Sequence, residues 1–268
     1  MPMEFFAFSD QLSEVVSRVY VHDTGRLASG PWLIPPDGDI KLIFPARGPI
    51  RCSIGDGSRV HPPSRLIVSG MRTEPGHLEF AEGVDAIGVI VRPEAAHRLL
   101  AMPQDELSNR TFDGEELFGP IARAWSERLM DAPDTAARVA IVQAIVLEML
   151  AAQPRYDADV ARAVRRLRST RGTIQIERLA RDLQWSRRRL ERRFLNRVGV
   201  TPKNLASVLR FHDAYKRLRS LPDGRYGVVA LDRYYDQSHF IRDFKRFTGV
   251  TPRVYARSAD YGRLYIPR

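Results

Sequence analysis

The sequence contains only one cysteine, Cys52, among 268 residues. One thiol excludes an intramolecular disulfide and any zinc site that needs several cysteines. A single unpaired cysteine is typical of a protein in a reducing compartment. His61, His77 and His97 lack the clustered spacing of a metal site, so we expect neither a metal ion nor another cofactor.

Long hydrophobic runs are also missing from the sequence. The longest candidate, Val139–Ala152, is interrupted by Gln143 and Glu148 and is shorter than a membrane span. Residues 1–16 carry acidic side chains but no basic one, unlike the start of a secretory signal. These patterns predict a soluble, cytoplasmic protein without a membrane partner.

Common enzyme motifs are missing as well. The sequence has no glycine-rich phosphate loop, no nucleophile elbow and no motif of paired catalytic carboxylates. Such motifs place a reactive group beside the group that activates it. We therefore predict that the protein is not an enzyme.

Charge is divided sharply along the chain. Residues 1–150 hold 14 Lys and Arg against 21 Asp and Glu, whereas residues 151–268 hold 28 against 11. This reversal predicts two domains with different partners. Nucleic-acid phosphates are the commonest partner of so basic a domain, and a solvated basic surface is the alternative interpretation.

Two local patterns divide the first 152 residues. Up to residue 92, apolar runs such as Ile40–Phe44 and Ala86–Val91 alternate with proline and glycine pairs, which predicts a small antiparallel β barrel or sandwich. Residues 93–152 show helical periodicity instead. The apolar stripe of Val139–Ala152 is wide enough to pack on its own domain or on a second subunit. We expect residues 1–152 to form one domain with a sensing or dimerising role.

The predicted boundary is Gln153–Asp157, where Pro154 ends a helix. Beyond it we predict an all-α domain over residues 157–257 and a tail over residues 258–268. The predicted helices span 157–169, 175–183, 187–198, 202–219, 226–233, 237–247 and 252–257. The expected fold class is therefore α+β.

The helical domain contains an internal repeat with an offset of 50 residues. The phrase Gly-Val-Thr-Pro at 199–202 recurs at 249–252, and Arg192 and Phe194 recur as Arg242 and Phe244. An offset held over about thirty residues indicates a duplicated supersecondary unit. Each unit reads as a short helix, a tight turn and a second helix, and the long helix 202–219 joins the two units.

The repeated phrase marks the end of one helix and the start of the next. Its glycine suits the left-handed residue just past a helix end. Its threonine can cap the following helix, with proline at the first helical position. Ser186 and Asp236 occupy the N-cap positions of the second helix in each unit.

Two helix-turn-helix units in a basic domain predict second helices that enter the major groove of DNA. At about 100° per residue, one face of each helix is apolar. Its residues are Leu190, Phe194, Val198, Phe240, Phe244 and Phe247. The opposite face presents Arg188 and Arg192 in the first helix, and Ser238 and Arg242 in the second.

Further basic side chains lie beside these faces. They suit DNA phosphates, which position a protein without carrying sequence information. The predicted phosphate contacts are Arg189, Arg193, Arg197, Lys203, Lys245, Arg246 and Arg253. The alternative for any outer arginine is a solvated or paired side chain, as Arg188 would be beside Glu191 or Asp182.

Asp236–Tyr255, DQSHFIRDFKRFTGVTPRVY, resembles the C-terminal signature of AraC-type transcription regulators. Leu179–Pro202 is similar to the first helix-turn-helix of that family. The resemblance implies two such subdomains, joined by one long helix, whose recognition helices enter successive major-groove segments. The base-facing residues that it implies are Arg188, Glu191, Arg192, Gln237, Ser238, Ile241 and Arg242. The helical period adds Arg187, which flanks the outer face of the first helix.

Both turns before the recognition helices depart from the family pattern, which usually has a glycine there. The first turn has Gln184, and the second, Asp232–Asp236, lacks glycine and is one residue shorter. A non-glycine residue held at positive φ destabilises a fold by about 1 kcal/mol. We therefore expect strain at the first turn and a different placement of the second recognition helix.

Pro36–Phe44 and Ile87–Leu107 more weakly resemble the sensor-like domain that precedes this module in some bacterial regulators. That family often binds a small effector and often dimerises. The expected partners are therefore duplex DNA, a small-molecule effector, a second copy of the chain and RNA polymerase. The sequence shows no effector-binding motif.

These features together predict a sequence-specific transcription regulator of the AraC type. One alternative is a nonspecific nucleic-acid-binding protein, which capped and duplicated recognition helices disfavour. The other is an enzyme-like N-terminal domain fused to a DNA-binding module. Relatives of that kind use a zinc-bound cysteine cluster, which a chain with one cysteine cannot form.

Overall fold

The computed structural model describes residues 3–23, 32–47, 50–54, 59–60, 66–80, 85–151, 156–220 and 234–257. Within these ranges a β-rich N-terminal part precedes a helical C-terminal part, which confirms the predicted α+β class. The predicted helix 226–233, the predicted tail 258–268 and most of the predicted boundary lie outside the described residues.

The described strands form two antiparallel sheets. They are β1 (Met3–Phe6), β2 (Val16–Asp23), β3 (Trp32–Ile34), β4 (Ile40–Arg47), β5 (Ile50–Ile54), β6 (Arg59–Val60), β7 (Ile67–Ser69), β8 (Gly76–Phe80), β9 (Asp85–Val91) and β10 (Thr111–Asp113). The first sheet has the order β1-β2-β9-β4-β7-β10 and the second the order β3-β8-β5-β6.

The two sheets pack face to face, as in a sandwich. Side chains of β9 alternate between two cores, because successive residues of a strand point to opposite faces. Ile87 and Val89 belong to the core between the first sheet and the helices. Ala86 and Ile90 belong to a smaller core, shared with Trp32 of the second sheet. Strand β9 is therefore buried on both faces, as its nearly continuous apolar run requires.

The described helices follow the predicted pattern closely. They are α1 (Pro93–Leu100), α2 (Gly114–Phe118), α3 (Pro120–Met130), α4 (Thr135–Ala151), α5 (Ala158–Ser169), α6 (Ile176–Asp182), α7 (Arg187–Val198), α8 (Pro202–Ser220), α9 (Gln237–Thr248) and α10 (Pro252–Arg257). Beyond residue 157, these bounds differ from the predicted ones by at most one residue. None of the described helices is both long enough and apolar enough to cross a membrane.

Strand β10 lies in a segment for which the sequence predicts only helices. Thr111 and Phe112 pair with Ser69 and Val68 at the edge of the first sheet. Just before them, Asn109 holds a positive φ of 55°. Left-handed backbone at this point turns the chain toward the sheet edge. A strand of three residues is too short to show the alternation of apolar and polar residues that identifies a strand in a sequence.

Helix α4 packs on its own chain. Val142, Ile145 and Val146 are fully buried in the core between the first sheet and the helices. The Glu148 carboxylate accepts hydrogen bonds from Trp125 Nε1 at 3.0 Å and from Arg128 at 2.9 Å, both on α3. Packing on its own domain thus accounts for the buried side of the apolar stripe, and a contact with a second subunit stays a prediction.

One hydrophobic core continues from the first sheet into the first repeat unit. Leu190, Phe194 and Val198 of α7 are fully buried in it, together with β9 and α1. Helix α7 packs against α1 and against the 3-10 turn Gln104–Glu106. At the predicted boundary the secondary structure changes from strands and helices to helices alone, but the hydrophobic core continues across it.

The second repeat unit has its own aromatic core. It joins the C-terminal half of α8 to α9 through Phe211, Tyr215, Phe240, Phe244 and Phe247. The ring centroids of Phe211 and Phe247 lie 4.9 Å apart, and those of Phe240 and Phe244 lie 5.7 Å apart. Helix α8 therefore connects the two units, because its first half contributes Leu205 to the larger core.

Gly199 and Gly249 are equivalent in the repeat but not in their surroundings. Their φ angles are 90° and 79°. A Cβ at Gly199 would lie 2.6 Å from Ser108 Oγ and 2.7 Å from the Gln104 carbonyl oxygen. A Cβ at Gly249 would meet no atom of the described chain within 4 Å.

We predict that Gly249→Ala lowers the free energy of unfolding by about 1 kcal/mol, through backbone strain alone. Gly199→Ala should lower it by about 2–4 kcal/mol, because the contact with the N-terminal part must also open. Urea denaturation followed by circular dichroism measures both losses. Equal losses would contradict the docking of α7 on the N-terminal part.

Candidate nucleic-acid interface

Both ends of α7 are built as the repeat predicts. Ser186 Oγ accepts a hydrogen bond from the Arg189 amide at 3.2 Å, which caps the start of the helix. At the other end, the Gly199 amide donates to the Leu195 carbonyl at 3.0 Å. Thr201 Oγ1 then accepts from the Asn204 amide at 3.1 Å and caps α8.

Both ends of α9 are built in the same way. Asp236 Oδ1 accepts from the His239 amide at 2.7 Å, and the Gly249 amide donates to the Lys245 carbonyl at 2.8 Å. Asp243, on the inner side, accepts from Ser207 Oγ of α8 at 2.9 Å. These bonds hold α9 in a defined position on the long helix.

The turn before α7 carries the expected strain. Gln184 has a φ of 54°, in the left-handed region that favours glycine. The Trp185 amide donates to the Ala180 carbonyl and the Gln184 amide to the Arg181 carbonyl, both at 2.9 Å. This pair of bonds closes α6 in the Schellman arrangement. In the second unit, residues 232–233 of the turn lie outside the described residues.

The outer face of α7 presents two arginines without a partner. Arg188 and Arg192 are exposed, and neither forms a hydrogen bond or ion pair with the part of the chain that the structure describes. Arg187 instead contacts the carboxylates of Glu177 and Glu191, each at 2.9 Å. Glu191 therefore pairs with Arg187 and leaves Arg188 available to a ligand.

Two of the predicted phosphate contacts on α7 pair with other residues of the protein. Arg193 Nη2 lies 2.5 Å from the Asp157 carboxylate, and Arg197 Nη1 lies 2.7 Å from His97 Nε2. Burial, and then the neighbouring Arg197, lowers the pKa of His97, so its ring is an acceptor at neutral pH. Both arginines are thus partly exposed but already paired with other residues of the protein in this structure.

The remaining predicted phosphate contacts are exposed. The guanidinium of Arg189 lies 4.8 Å from the centroid of the Trp185 ring, and that of Arg246 lies 5.1 Å from the Phe247 ring. Such cation–π contacts leave the charge open to solvent. The full exposed set is Arg189, Lys203, Lys245, Arg246 and Arg253.

The outer face of α9 is exposed along its length. Its outward residues are Gln237, Ser238, Ile241, Arg242 and Lys245. Among the described residues, Arg242 has no ion-pair or hydrogen-bond partner. The inner face buries Phe240, Phe244 and Phe247, as predicted. Each unit therefore offers a capped helix with a polar, cationic outer face.

Contacts from the N-terminal part to α7 could not be found from the sequence. Ser108 Oγ donates to the Gly199 carbonyl, and His97 meets Arg197 across 100 positions. Within the helical part, the pairing of Asp157 with Arg193 spans 36 positions and is likewise not encoded by a local pattern. The only local signal is that Asp157 is an N-cap residue, since its side chain also accepts from the Val160 amide at 3.2 Å.

A group of buried charges lies near the contact between the N-terminal part and α8. Lys41 Nζ lies 2.7 Å from Asp37, and these two residues are only 4% and 9% exposed. Arg72 is 6% exposed and interacts electrostatically with Asp37. Burial opposes ionisation of Asp37, but Lys41, then His212 and Arg72, hold its pKa below the ordinary value.

A second polar contact joins the same loop of the N-terminal part to α5. Arg168 of α5 donates to the Gly38 carbonyl at 2.7 Å and to Asp39 Oδ1 at 2.5 Å. Burial lowers the pKa of His212 on α8 to about 4, so its imidazole is neutral at pH 7. The helical part is therefore connected to the sheet loops by charged as well as apolar contacts.

Two family matches cover separate parts of the chain. Residues 179–258 match a family described as a helix-turn-helix domain, and residues 5–113 match a domain of unknown function, DUF6597. The first match confirms the module predicted from the repeat. No curated protein sequence matches the chain.

Comparison with solved structures found several similar chains. An apo variant of ToxT from Vibrio cholerae is 13% identical, with 89% of this chain and 96% of that chain covered and a TM-score of 0.48. Wild-type ToxT with a bound unsaturated fatty acid is 12% identical, with coverages of 88% and 93% and a TM-score of 0.49. The AraC-like transcriptional activator CuxR is 20% identical, with coverages of 77% and 74% and a TM-score of 0.24.

We predict that Gln184→Gly raises the free energy of unfolding by about 0.5 kcal/mol. Glycine removes the left-handed strain, and its greater freedom in the unfolded chain offsets part of that gain. Gln184→Ala is the matched control, because alanine keeps the strain and should leave stability unchanged. Urea denaturation measures the difference, and a glycine variant less stable than the alanine variant would contradict the assigned strain.

Proposed function

We propose that this chain, whose C-terminal part is a helix-turn-helix domain of the AraC type, is a transcription regulator that binds specific duplex DNA sequences. The observation that carries the proposal is the outward, unpaired position of Arg188 and Arg192 on a capped helix. Arginines placed in this way can bond O6 and N7 of guanine in the major groove. The protein thus acts by binding and carries out no catalysis.

The second unit repeats the arrangement at the far end of α8. Arg242 and Ser238 are exposed on α9, and Gln237 can bond adenine through its carboxamide. We place the two recognition helices in successive major-groove segments of one duplex. Arg187 and Glu191 keep their proposed base-facing role, for which they must exchange their mutual ion pair for contacts with DNA.

Phosphate contacts are proposed for the exposed basic residues beside these faces. Lys203 and Arg253 follow the capping threonines and lie in the first turns of α8 and α10. Arg193 and Arg197 can reach a phosphate only by leaving Asp157 and His97. We therefore propose that these two arginines first orient α7 and contact phosphate only after such a release.

The proposed role of the N-terminal part, residues 1–152, is to sense a small effector, to dimerise, or both. The buried ion pair of Lys41 and Asp37 supports it, because the pair lies beside Gly38, where the N-terminal part packs against Leu209 of α8. A second copy of the chain and RNA polymerase are further proposed partners. A regulator that binds the genome of a bacterium acts in the cytoplasm, which is the location we propose.

Competition binding at fixed salt tests the proposed function. The full chain is offered duplex selected from a random pool, together with an excess of random duplex. We expect a preference of about a thousandfold or more for the selected sequence. A nonspecific binder would show equal affinities and only the salt dependence of phosphate contacts, and that result would contradict the proposal.

We predict that Arg192→Ala weakens binding of the selected duplex by about 1–3 kcal/mol and relaxes specificity at one base pair. Lys203→Ala, the matched control, should weaken selected and random duplex about equally, because a phosphate contact carries no sequence information. Fluorescence anisotropy with both duplexes measures the effects. An Arg192→Ala variant with unchanged sequence preference would contradict the base-facing role.

A further inference from the structure

Each recognition helix carries one exposed, branched apolar side chain on its outer side. Leu195 of α7 is 37% exposed and Ile241 of α9 is 36% exposed. Neither belongs to the hydrophobic cores, which already contain three large apolar residues from each helix. Isolated exposed apolar residues are common on protein surfaces, so exposure alone assigns no role.

Their positions relative to the outward arginines give a second observation, although the two residues are not equivalent in the repeat. Leu195 follows the unpaired Arg192 by three residues, and Ile241 immediately precedes the unpaired Arg242. At 100° per residue, both lie on the same side of the outward arginine, displaced by about 60° and about 100°. Their neighbours on these faces are otherwise polar or charged. Both units therefore place an aliphatic group beside the arginine proposed to bond a base.

The chemistry of duplex DNA limits what such a group can contact. Phosphate oxygens and the polar edges of the bases favour hydrogen-bond donors and acceptors, which leucine and isoleucine lack. The thymine C5-methyl is the apolar group that a base pair presents in the major groove. An aliphatic side chain beside a groove-facing arginine thus has one complementary partner there.

We propose that Leu195 and Ile241 are specificity-determining residues that contact thymine methyl groups, one in each recognition site. This inference rests on the proposed function, since it requires both helices to lie in the major groove. It places one thymine beside the base that Arg192 contacts and another beside the base that Arg242 contacts. The chain then discriminates thymine from cytosine by apolar contact as well as reading guanine by hydrogen bonds.

Replacement of thymine by uracil tests the inference, because uracil lacks only the C5-methyl group. Each thymine of the selected duplex is replaced in turn, and the affinity of the full chain is measured by fluorescence anisotropy. We expect about fourfold weaker binding at one thymine for each unit, the effect of losing contact with one methyl group. Replacements elsewhere in the duplex should have no effect.

Variants assign each sensitive thymine to a side chain. Leu195→Ala should abolish the uracil effect at one position and retain it at the other, and Ile241→Ala should do the reverse. The uracil effect that each variant retains at the other position shows that the variant is folded. Leu195→Met, which keeps an aliphatic contact, should retain both effects.

Two results would overturn the inference: no uracil replacement weakens binding, or both alanine variants keep both sensitive positions. A random pool that yields no preferred sequence would overturn the proposed function, and this inference with it. The two failures are distinguishable, because the first occurs with a sequence that the chain still selects.

Discussion

The structure depends on the burial of one face of α7. Leu190, Phe194 and Val198 are fully buried in a core that begins in the β-sheet. Because these residues fix the rotation of the helix about its axis, Arg188 and Arg192 must point away from the protein. A rotation that exposed Phe194 would bury an arginine without a partner, which is far more costly than the loss of one apolar contact. The N-terminal part thereby sets the direction in which the first recognition helix faces.

The second recognition helix is held by different means. Its aromatic face packs on α8, and the bond between Ser207 and Asp243 adds a buried polar contact. Helix α8 takes part in both cores, so it transmits the position of the first unit to the second. Arg168 of α5 donates to Gly38 and Asp39 of the sheet loop, and Leu209 of α8 lies beside Gly38, so both helices meet the N-terminal part at this loop. The position of the second recognition helix therefore depends on how α8 packs against the N-terminal part.

Much of the DNA-binding part could be predicted from the sequence, because its determinants are local. The glycine, threonine and proline of the repeated phrase define helix ends through backbone conformation, and the apolar period defines the inner faces. Gln184 could be identified as strained for the same reason. The contacts of Arg197 with His97 and of Ser108 with Gly199 span about 100 and 91 positions, so no local pattern encodes them. Such contacts decide which arginines remain available to DNA, and the exposed arginines could therefore be separated from the engaged ones only in the structure.

Both recognition helices are proposed to lie in the major groove of one duplex. Dimethyl sulfate footprinting of the full chain on its selected sequence measures this directly, because the reagent modifies guanine N7 in that groove. We expect two groups of protected guanines about 10 base pairs apart, on the same face of the duplex. A single protected group, or two groups on opposite faces, would contradict it.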